Sequence, residues 1–189
     1  MSALLHVLGQ VDRATIENVQ SLRWEPATAA FLLLSAWWVK GPVLVACAVC
    51  ADLRTRCLLP TAALASLLAV LLGSVTSGAL KELVDRVRPP FAGLELVAAS
   101  SAPHTPSFPS GHATTVFAAA AAVGVFHPRI RLPLFALAAL VGLSRVYLGV
   151  HYAFDVLAGA ALGVALGLGV AWSLRRALAL RRSSTPAAA

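Results

Sequence analysis

Residues 60–84 read PTAALASLLAVLLGSVTSGALKELV, and the first charged residue in this stretch is Lys81. A helix needs about 20 consecutive apolar residues to cross a bilayer, and this run reaches that length. The stretch therefore predicts a long membrane-spanning helix from Pro60 to Val84. It also sets the class of protein that the rest of the chain must fit.

The composition of the whole chain agrees with a membrane protein. Of its 189 residues, 59% are hydrophobic and 12% are charged, and the mean hydropathy is +0.81. A soluble domain carries about 25% charged residues, so an ordinary soluble globule and a disordered chain are both excluded. The net charge of +7 does not indicate a nucleic-acid partner, because the basic residues stand between apolar runs, as in membrane loops.

Further helices are predicted on both sides of this stretch. Ala27–Leu53 is interrupted by Lys40-Gly41-Pro42, and we interpret it as one crossing that is broken at Pro42. Residues 3–24 mix apolar and charged positions, which is typical of a helix on the membrane surface. The remaining predicted helices are Gly111–Phe126, Ile130–Leu148 and Tyr152–Leu174, the last with Gly159, Gly163 and Gly167 at a spacing that favours close helix packing.

These segments predict an all-α fold, a polytopic transmembrane helical bundle with about five crossings and an N-terminal interfacial helix. We expect an amphipathic segment over residues 1–25, a single membrane-embedded domain over 26–178 and a mobile cytoplasmic tail over 179–189. No cleavable signal peptide is expected, because residues 1–25 have no apolar core followed by a cleavage site. The cysteines, Cys47, Cys50 and Cys57, are interpreted as small buried residues.

The arginines predict the orientation. Five crossings would place three arginine clusters on one side, which the positive-inside rule makes cytoplasmic. The loop Arg88–Ser110 and the connection Arg145–His151 would then face outward from the plasma membrane. The clusters are Arg54 with Arg56, Arg129 with Arg131, and Arg175, Arg176, Arg181 and Arg182.

Three groups of polar residues fall on that outer side. Each has an ordinary structural explanation: a snorkelling cation, a helix cap, a structural histidine, or i,i+4 pairs such as Glu82 with Arg86 and Lys81 with Asp85. Ionisable residues near a membrane core are costly, however, so their clustering favours a functional site. The groups are Lys81 with Arg88 and Pro89, Pro109-Ser110-Gly111-His112, and Ser144-Arg145 with His151 and Asp155.

The basic members of these groups indicate a phosphate site. Lys81 and Arg88, seven residues apart, are expected on one helix face, and Arg145 adds a third positive charge. A helix that begins near Ser110 would add free backbone N–H groups and a positive dipole end. The sequence offers no carboxylate cluster for Mg²⁺, so neither a metal nor a cofactor is expected.

Two histidines in the same groups, His112 and His151, can supply a nucleophile and an acid/base. Only His151 has a carboxylate at helical spacing, Asp155, which would orient its ring. The residues alone do not decide which histidine attacks.

The three groups together resemble the three-part signature of the type 2 phosphatidic acid phosphatase, or lipid phosphate phosphatase, superfamily. The resemblance covers about residues 60–175 and implies the six-helix core of that family, whereas the N-terminal quarter has no motif to match. The matching positions are complete and in the family's order: Lys81-x6-Arg88-Pro89, Pro109-Ser110-Gly111-His112 and Ser144-Arg145-x5-His151-x3-Asp155.

The resemblance also implies a role for each position. His151 would attack phosphorus and form a phospho-histidine, Asp155 would fix its ring, and His112 would protonate the leaving oxygen and then activate water. The phosphoryl oxygens would be held by Lys81, Arg88, Arg145 and the backbone at Ser110 and Gly111.

The predicted function is therefore hydrolysis of a membrane lipid phosphate or diphosphate. Two alternatives stay open: a non-catalytic lipid-phosphate binding or transport protein, and a vanadate-dependent haloperoxidase-like enzyme. A binder has no need of His112, His151 and Asp155, and the membrane helices argue against the haloperoxidase. Outside the signature, His104 lies where a head group would come, His6 and His127 are assigned to interfaces, and Lys40 either snorkels or faces the bundle.

Overall fold

A computed structural model describes residues 2–36, 41–55, 60–94 and 103–183. The expectations for Lys40, Arg56, Cys57 and residues 184–189 lie outside these residues. Within them the fold is all-α, as predicted, with two short 3₁₀ turns at Pro89–Ala92 and Pro128–Ile130. The α-helices are α1 (Ser2–Ser21), α2 (Glu25–Leu34), α3 (Pro42–Arg54), α4 (Thr61–Val84), α5 (Gly111–Phe126), α6 (Arg131–Tyr147) and α7 (Ala153–Ser183).

Helix α5 lies at the centre of the bundle and packs against α4, α6 and α7. Its sequence explains this position, because the run Ala118–Ala122 has only methyl side chains and is buried on every side. A helix that is apolar all round belongs inside a bundle rather than at its surface. The N-terminus of α5, which carries His112, is therefore held by three neighbouring helices.

The glycine stripe of α7 sets its distance from α5. A Cβ atom at Gly159 would come within 2.6 Å of the Ser110 carbonyl oxygen, and one at Gly163 would overlap the Thr114 carbonyl oxygen. Gly167 meets the backbone of Ala118 in the same way. Only glycine permits this approach, so the stripe places α7 directly against the helix that begins at Ser110.

We expect Gly163→Ala to lower the thermal unfolding temperature of the detergent-solubilised protein. The added methyl group would force the two backbones apart, which typically costs about 1–3 kcal/mol. Gly169→Ala is the matched control on the same helix, because nothing lies within 4 Å of a Cβ there. Equal unfolding temperatures for the two variants would show that the stripe does not set the packing.

Three stretches of the described chain are long and apolar enough to cross a membrane: Thr61–Ala92, Pro128–Tyr147 and Ala153–Arg181. Glu25–Leu34 and Gly111–Phe126 are shorter apolar helices. The helical membrane fold is confirmed, whereas the count of about five crossings stays a prediction. The predicted break at Pro42 is also confirmed, since Pro42 is the first residue of α3.

Several expectations about the elements are wrong. Helix α4 ends at Val84, as predicted, but Asp85 then adopts a left-handed conformation (φ 47°), so the expected shared helix face of Lys81 and Arg88 is wrong. Helix α7 continues to Ser183, beyond the predicted end at Leu174, and a mobile tail stays a prediction. It begins only at Ala153, so His151 precedes the helix that carries Asp155. Cys50 is exposed rather than buried.

Two further contacts join the outer helices to the bundle, and each includes a buried aspartate. At the end opposite the polar groups, the Asp52 carboxylate lies 2.8 Å from Nε2 of His127 and accepts a 3.0 Å hydrogen bond from the Ala63 backbone. This joins α3, α4 and the end of α5, whereas the place of His127 at a membrane interface stays a prediction. At the N-terminus, α1 packs on α6 and α7 through the buried residues Asp12 and Ile16.

Candidate active site

The three polar groups meet where α4, α5, α6 and α7 come together. The Ser110 backbone N–H donates to the carbonyl oxygen of Asp155 over 2.9 Å, which joins the second group to the third. The carbonyl oxygen of Arg145 accepts from the backbone N–H groups of Val150 (3.1 Å) and His151 (3.3 Å). This closes the turn after α6 and fixes the place of His151.

Lys81 and Arg88 secure the segment that precedes Ser110. Lys81 Nζ donates to the carbonyl oxygens of Pro106 (2.5 Å) and Ser107 (3.3 Å). Arg88 Nε donates to the Thr105 carbonyl oxygen over 2.6 Å. Because Arg88 lies in extended backbone after the turn at Asp85, it reaches this segment from another direction than Lys81.

Arg88 also contacts the candidate nucleophile. Its Nη1 donates to the Val150 carbonyl oxygen over 2.9 Å and lies 3.1 Å from Nε2 of His151. A guanidinium can only donate, so Nε2 must be the unprotonated acceptor nitrogen of the ring. The ring proton is then on Nδ1, which lies 3.4 Å from Oδ2 of Asp155.

His151 is 2% exposed, and its surroundings keep it neutral. Burial, joined by the charges of Arg88 and Arg145 and opposed by Asp155, lowers the pKa of His151 to about 3. The imidazole therefore carries its lone pair on Nε2 at neutral pH, where it faces Arg88. A neutral ring with an oriented Nδ1–H and a lone pair on Nε2 has the features of an activated nucleophile.

Arg88 and Arg145 are buried cations without a carboxylate partner. They are 3% and 7% exposed, and neither makes an ion pair within the described residues. Nε of Arg145 is buried and has no hydrogen-bond partner there. Isolated buried charges are costly, so this arrangement favours an anionic ligand.

Ser110 supports the same conclusion. It is the N-cap residue of α5, but its hydroxyl makes no capping hydrogen bond, and Oγ is buried without a partner in the described chain. A serine at this position usually accepts from the first turn of its helix. Here the Ser110 hydroxyl does not cap the helix, and the positive N-terminus of α5 is a favourable place for an anion.

The remaining histidines take different places. His112 is the second residue of α5 and is partly buried. His104 is exposed and stacks on the Phe91 ring, with the ring centroids 5.4 Å apart. Contact of His104 with a lipid head group therefore stays a prediction, and the side chain of His6 lies outside what the structure describes.

Two residues of this region, Arg86 and Asp12, were not predicted from the sequence. Arg86 was considered only as an i,i+4 partner of Glu82, yet it bridges Asp12 and Asp155, with 2.7 Å to each carboxylate. A signal for Asp12 was present, because it lies four residues before the apolar Ile16 on one helix face, and both are buried. A carboxylate on the buried face of a membrane-associated helix requires a partner.

The region of the site is similar in sequence to known proteins. The model of the PAP2 superfamily matches residues 62–178, which include all three polar groups. Lipid A 1-phosphatase of Rhizobium etli is 51% identical over 57 residues, 30% of this chain and 25% of that protein. Phosphatidylglycerophosphatase B of Bacillus subtilis is 41% identical over 99 residues, 46% of this chain and 45% of that protein. The match thus spans less than half the length of either relative.

A solved structure resembles the fold over a longer stretch. It is the crystal structure of the first transmembrane PAP2 type phosphatidylglycerolphosphate phosphatase from Bacillus subtilis, with a TM-score of 0.72. The likeness covers 91% of this chain and 88% of that one at 24% identity, and it shows the helical fold.

Proposed function

The chain belongs to the PAP2 superfamily, and we propose that it is an integral membrane phosphatase that acts on a lipid phosphate or diphosphate. One observation carries the proposal: two buried arginines, which pair with no carboxylate among the described residues, lie beside a neutral histidine whose Nδ1 faces a buried carboxylate. Two arginines alone would indicate only a site that binds an anion. The oriented lone pair of the histidine beside them adds a nucleophile that can attack phosphorus. The proposed catalytic unit is the membrane-embedded domain over residues 26–178.

In the proposed first step, Nε2 of His151 attacks phosphorus and the bond from phosphorus to the leaving oxygen breaks. His112 gives its proton to that oxygen. The product is a phospho-His151 whose ring is positively charged, and the Asp155 carboxylate stabilises that charge. Arg88, Arg145 and Lys81, with the N-terminus of α5, hold the phosphoryl oxygens as charge develops on them.

In the second step, His112 removes a proton from water, and the water oxygen attacks phosphorus. The N–P bond breaks, inorganic phosphate leaves, and the lone pair returns to Nε2 of His151. The enzyme is restored without a change of oxidation state. Because arginine, lysine and the helix terminus supply the positive charge, the proposed reaction needs no metal ion.

The proposed substrates are phosphorylated lipids that stay in the bilayer. Both relatives described above are phosphatases named for phosphorylated lipids. The candidates are a polyprenyl diphosphate, phosphatidic acid, phosphatidylglycerol phosphate and a polyprenyl-linked sugar phosphate.

The test of this function is phosphate release by the purified full chain from that panel in EDTA. We expect release from at least one lipid, and kcat/KM across the panel would rank the substrates. No release from any of the lipids would contradict the function. An absolute requirement for Mg²⁺ would contradict the metal-free mechanism.

We propose that the protein lies in the plasma membrane with its site facing outward. The arginine distribution supports this orientation, since Arg129 and Arg131 lie at the far end of α5 from Ser110.

We expect Ala92→Cys, an exposed position after Arg88, to react with an impermeant thiol reagent in intact cells. The background has the native cysteines replaced by alanine, and Arg129→Cys is the protected control. Labelling of Arg129→Cys alone would reverse the orientation.

A further inference from the structure

We propose that Asp12 and Arg86 are positioning residues for the active site, and that α1 is therefore a functional part of the enzyme. This inference rests on the proposed function but goes beyond it, because Asp12 lies outside residues 62–178, which match the family. It also revises the proposed catalytic unit, which then includes a residue from the segment 1–25.

The guanidinium of Arg86 donates to two carboxylates. Nη1 donates to Oδ1 of Asp155 and Nη2 donates to Oδ2 of Asp12, each over 2.7 Å. Both carboxylates are almost fully buried, with 0% and 1% of the side chain exposed. Charge-assisted hydrogen bonds of this length are among the strongest in proteins, so the three side chains form one rigid unit.

This unit determines which oxygen of Asp155 faces the nucleophile. With Oδ1 bound to Arg86, Oδ2 is left to accept from the Tyr152 backbone over 3.0 Å and to face Nδ1 of His151. The guanidinium also lies 4.1 Å above the centre of the Tyr152 ring. Without Arg86 the carboxylate is free to turn about its terminal torsion, and the histidine ring loses its fixed partner.

Asp12 acts on the same turn of α7 from a distant part of the chain. Its Oδ1 accepts a 3.0 Å hydrogen bond from the backbone N–H of Phe154, the second residue of the helix. The first N–H groups of a helix have no partner within it, and a carboxylate there is favourable. Asp12 thus fixes the helix start that carries Asp155.

The charges explain why two carboxylates share one arginine. The charges of Asp155 and Arg86 alone would sum to zero, which would leave little negative charge beside Nδ1 of His151. Asp12 offsets Arg86, so the unit keeps one net negative charge on the Nδ1 side of His151, whereas Arg88 contacts Nε2. That charge is needed only when phosphorylation makes the His151 ring positive, so its removal reduces kcat more than it raises KM.

The first experiment compares Asp12→Asn with Glu17→Gln in the full chain. Both remove one negative charge from α1, but Asp12 is buried whereas Glu17 is exposed and pairs only with the exposed Arg13. We expect kcat to fall about 10- to 100-fold in Asp12→Asn, the scale found at metal sites when an outer hydrogen-bond partner of a binding residue is lost. KM should change little, and Glu17→Gln should match the wild type. An unchanged kcat in Asp12→Asn would overturn the inference.

A second experiment separates positioning from stability. Arg86→Gln leaves two buried carboxylates without a cation and should unfold at a lower temperature. Asp12→Asn combined with Arg86→Gln removes one charge of each sign and should recover much of that stability, but kcat should remain low. Recovery of kcat together with stability would show that Arg86 acts only structurally. If the wild type and Glu17→Gln release no phosphate from any lipid, the proposed function fails instead.

Discussion

His151→Ala is expected to lower kcat by about a thousandfold or more, because it removes the atom that bonds to phosphorus. Nε2 of His151 is the acceptor nitrogen beside Arg88, and Nδ1 of the same ring faces the buried carboxylate of Asp155. Phosphate release from the best lipid of the panel measures the effect. The unfolding temperature shows that the variant is folded.

The matched control for this variant is His127→Gln. His127 also lies beside a carboxylate, with 2.8 Å between Nε2 and Oδ1 of Asp52, but at the opposite end of α5. Glutamine keeps a donor for Asp52, so we expect activity close to that of the wild type. Full activity in His151→Ala would reject the proposed nucleophile, whatever the control shows.

The covalent intermediate gives His151 a second readout. After a rapid quench of the wild type with a lipid labelled in the phosphoryl group, we expect label on the protein that is lost in acid and retained in base, as for a phosphoramidate. His151→Ala should retain none. Label in that variant would place the phosphoryl group on another residue.

The sequence predicted elements best where local chemistry marks their ends. Helix α5 runs from Gly111 to Phe126, as predicted, because Pro109-Ser110 precedes it and His127-Pro128 ends it. The end of α4 at Val84 was predicted as well, but the course of the chain after it was not. Asp85 adopts the left-handed conformation that glycine usually supplies, and no glycine marks this position. The spacing of seven residues therefore placed Arg88 on the helix face of Lys81, which is wrong.

Tertiary contacts were harder to predict than elements. The pairing of His151 with Asp155 was visible, because four residues separate them, although His151 turned out to precede the helix. The bond of Arg86 to Asp12 spans 74 residues, and helical spacing instead offered Glu82 as a plausible partner. In a charge-poor membrane protein, a buried acid such as Asp12 should therefore be matched first with cations outside its own helix.

Arg145→Met is expected to lower kcat/KM by about a hundredfold or more, the cost of losing a donor that stabilises developing charge. The same change should leave the unfolding temperature equal to that of the wild type or raise it. Arg145 is 7% exposed and makes no ion pair within the described residues, and its buried Nε has no partner there. An apolar side chain of similar length removes an uncompensated buried charge, which is often neutral or stabilising.

The measurement pairs kinetics with thermal unfolding in detergent, with and without inorganic phosphate. Phosphate should stabilise the wild type by binding the folded state, and Arg145→Met should lose that stabilisation. Arg129→Met is the control, because Arg129 is exposed at the other end of the bundle. Arg86→Met should show the opposite stability effect and unfold at a lower temperature, since it leaves Asp12 and Asp155 unpaired. If Arg145→Met unfolds early and keeps its response to phosphate, Arg145 supports the fold and not the phosphoryl group.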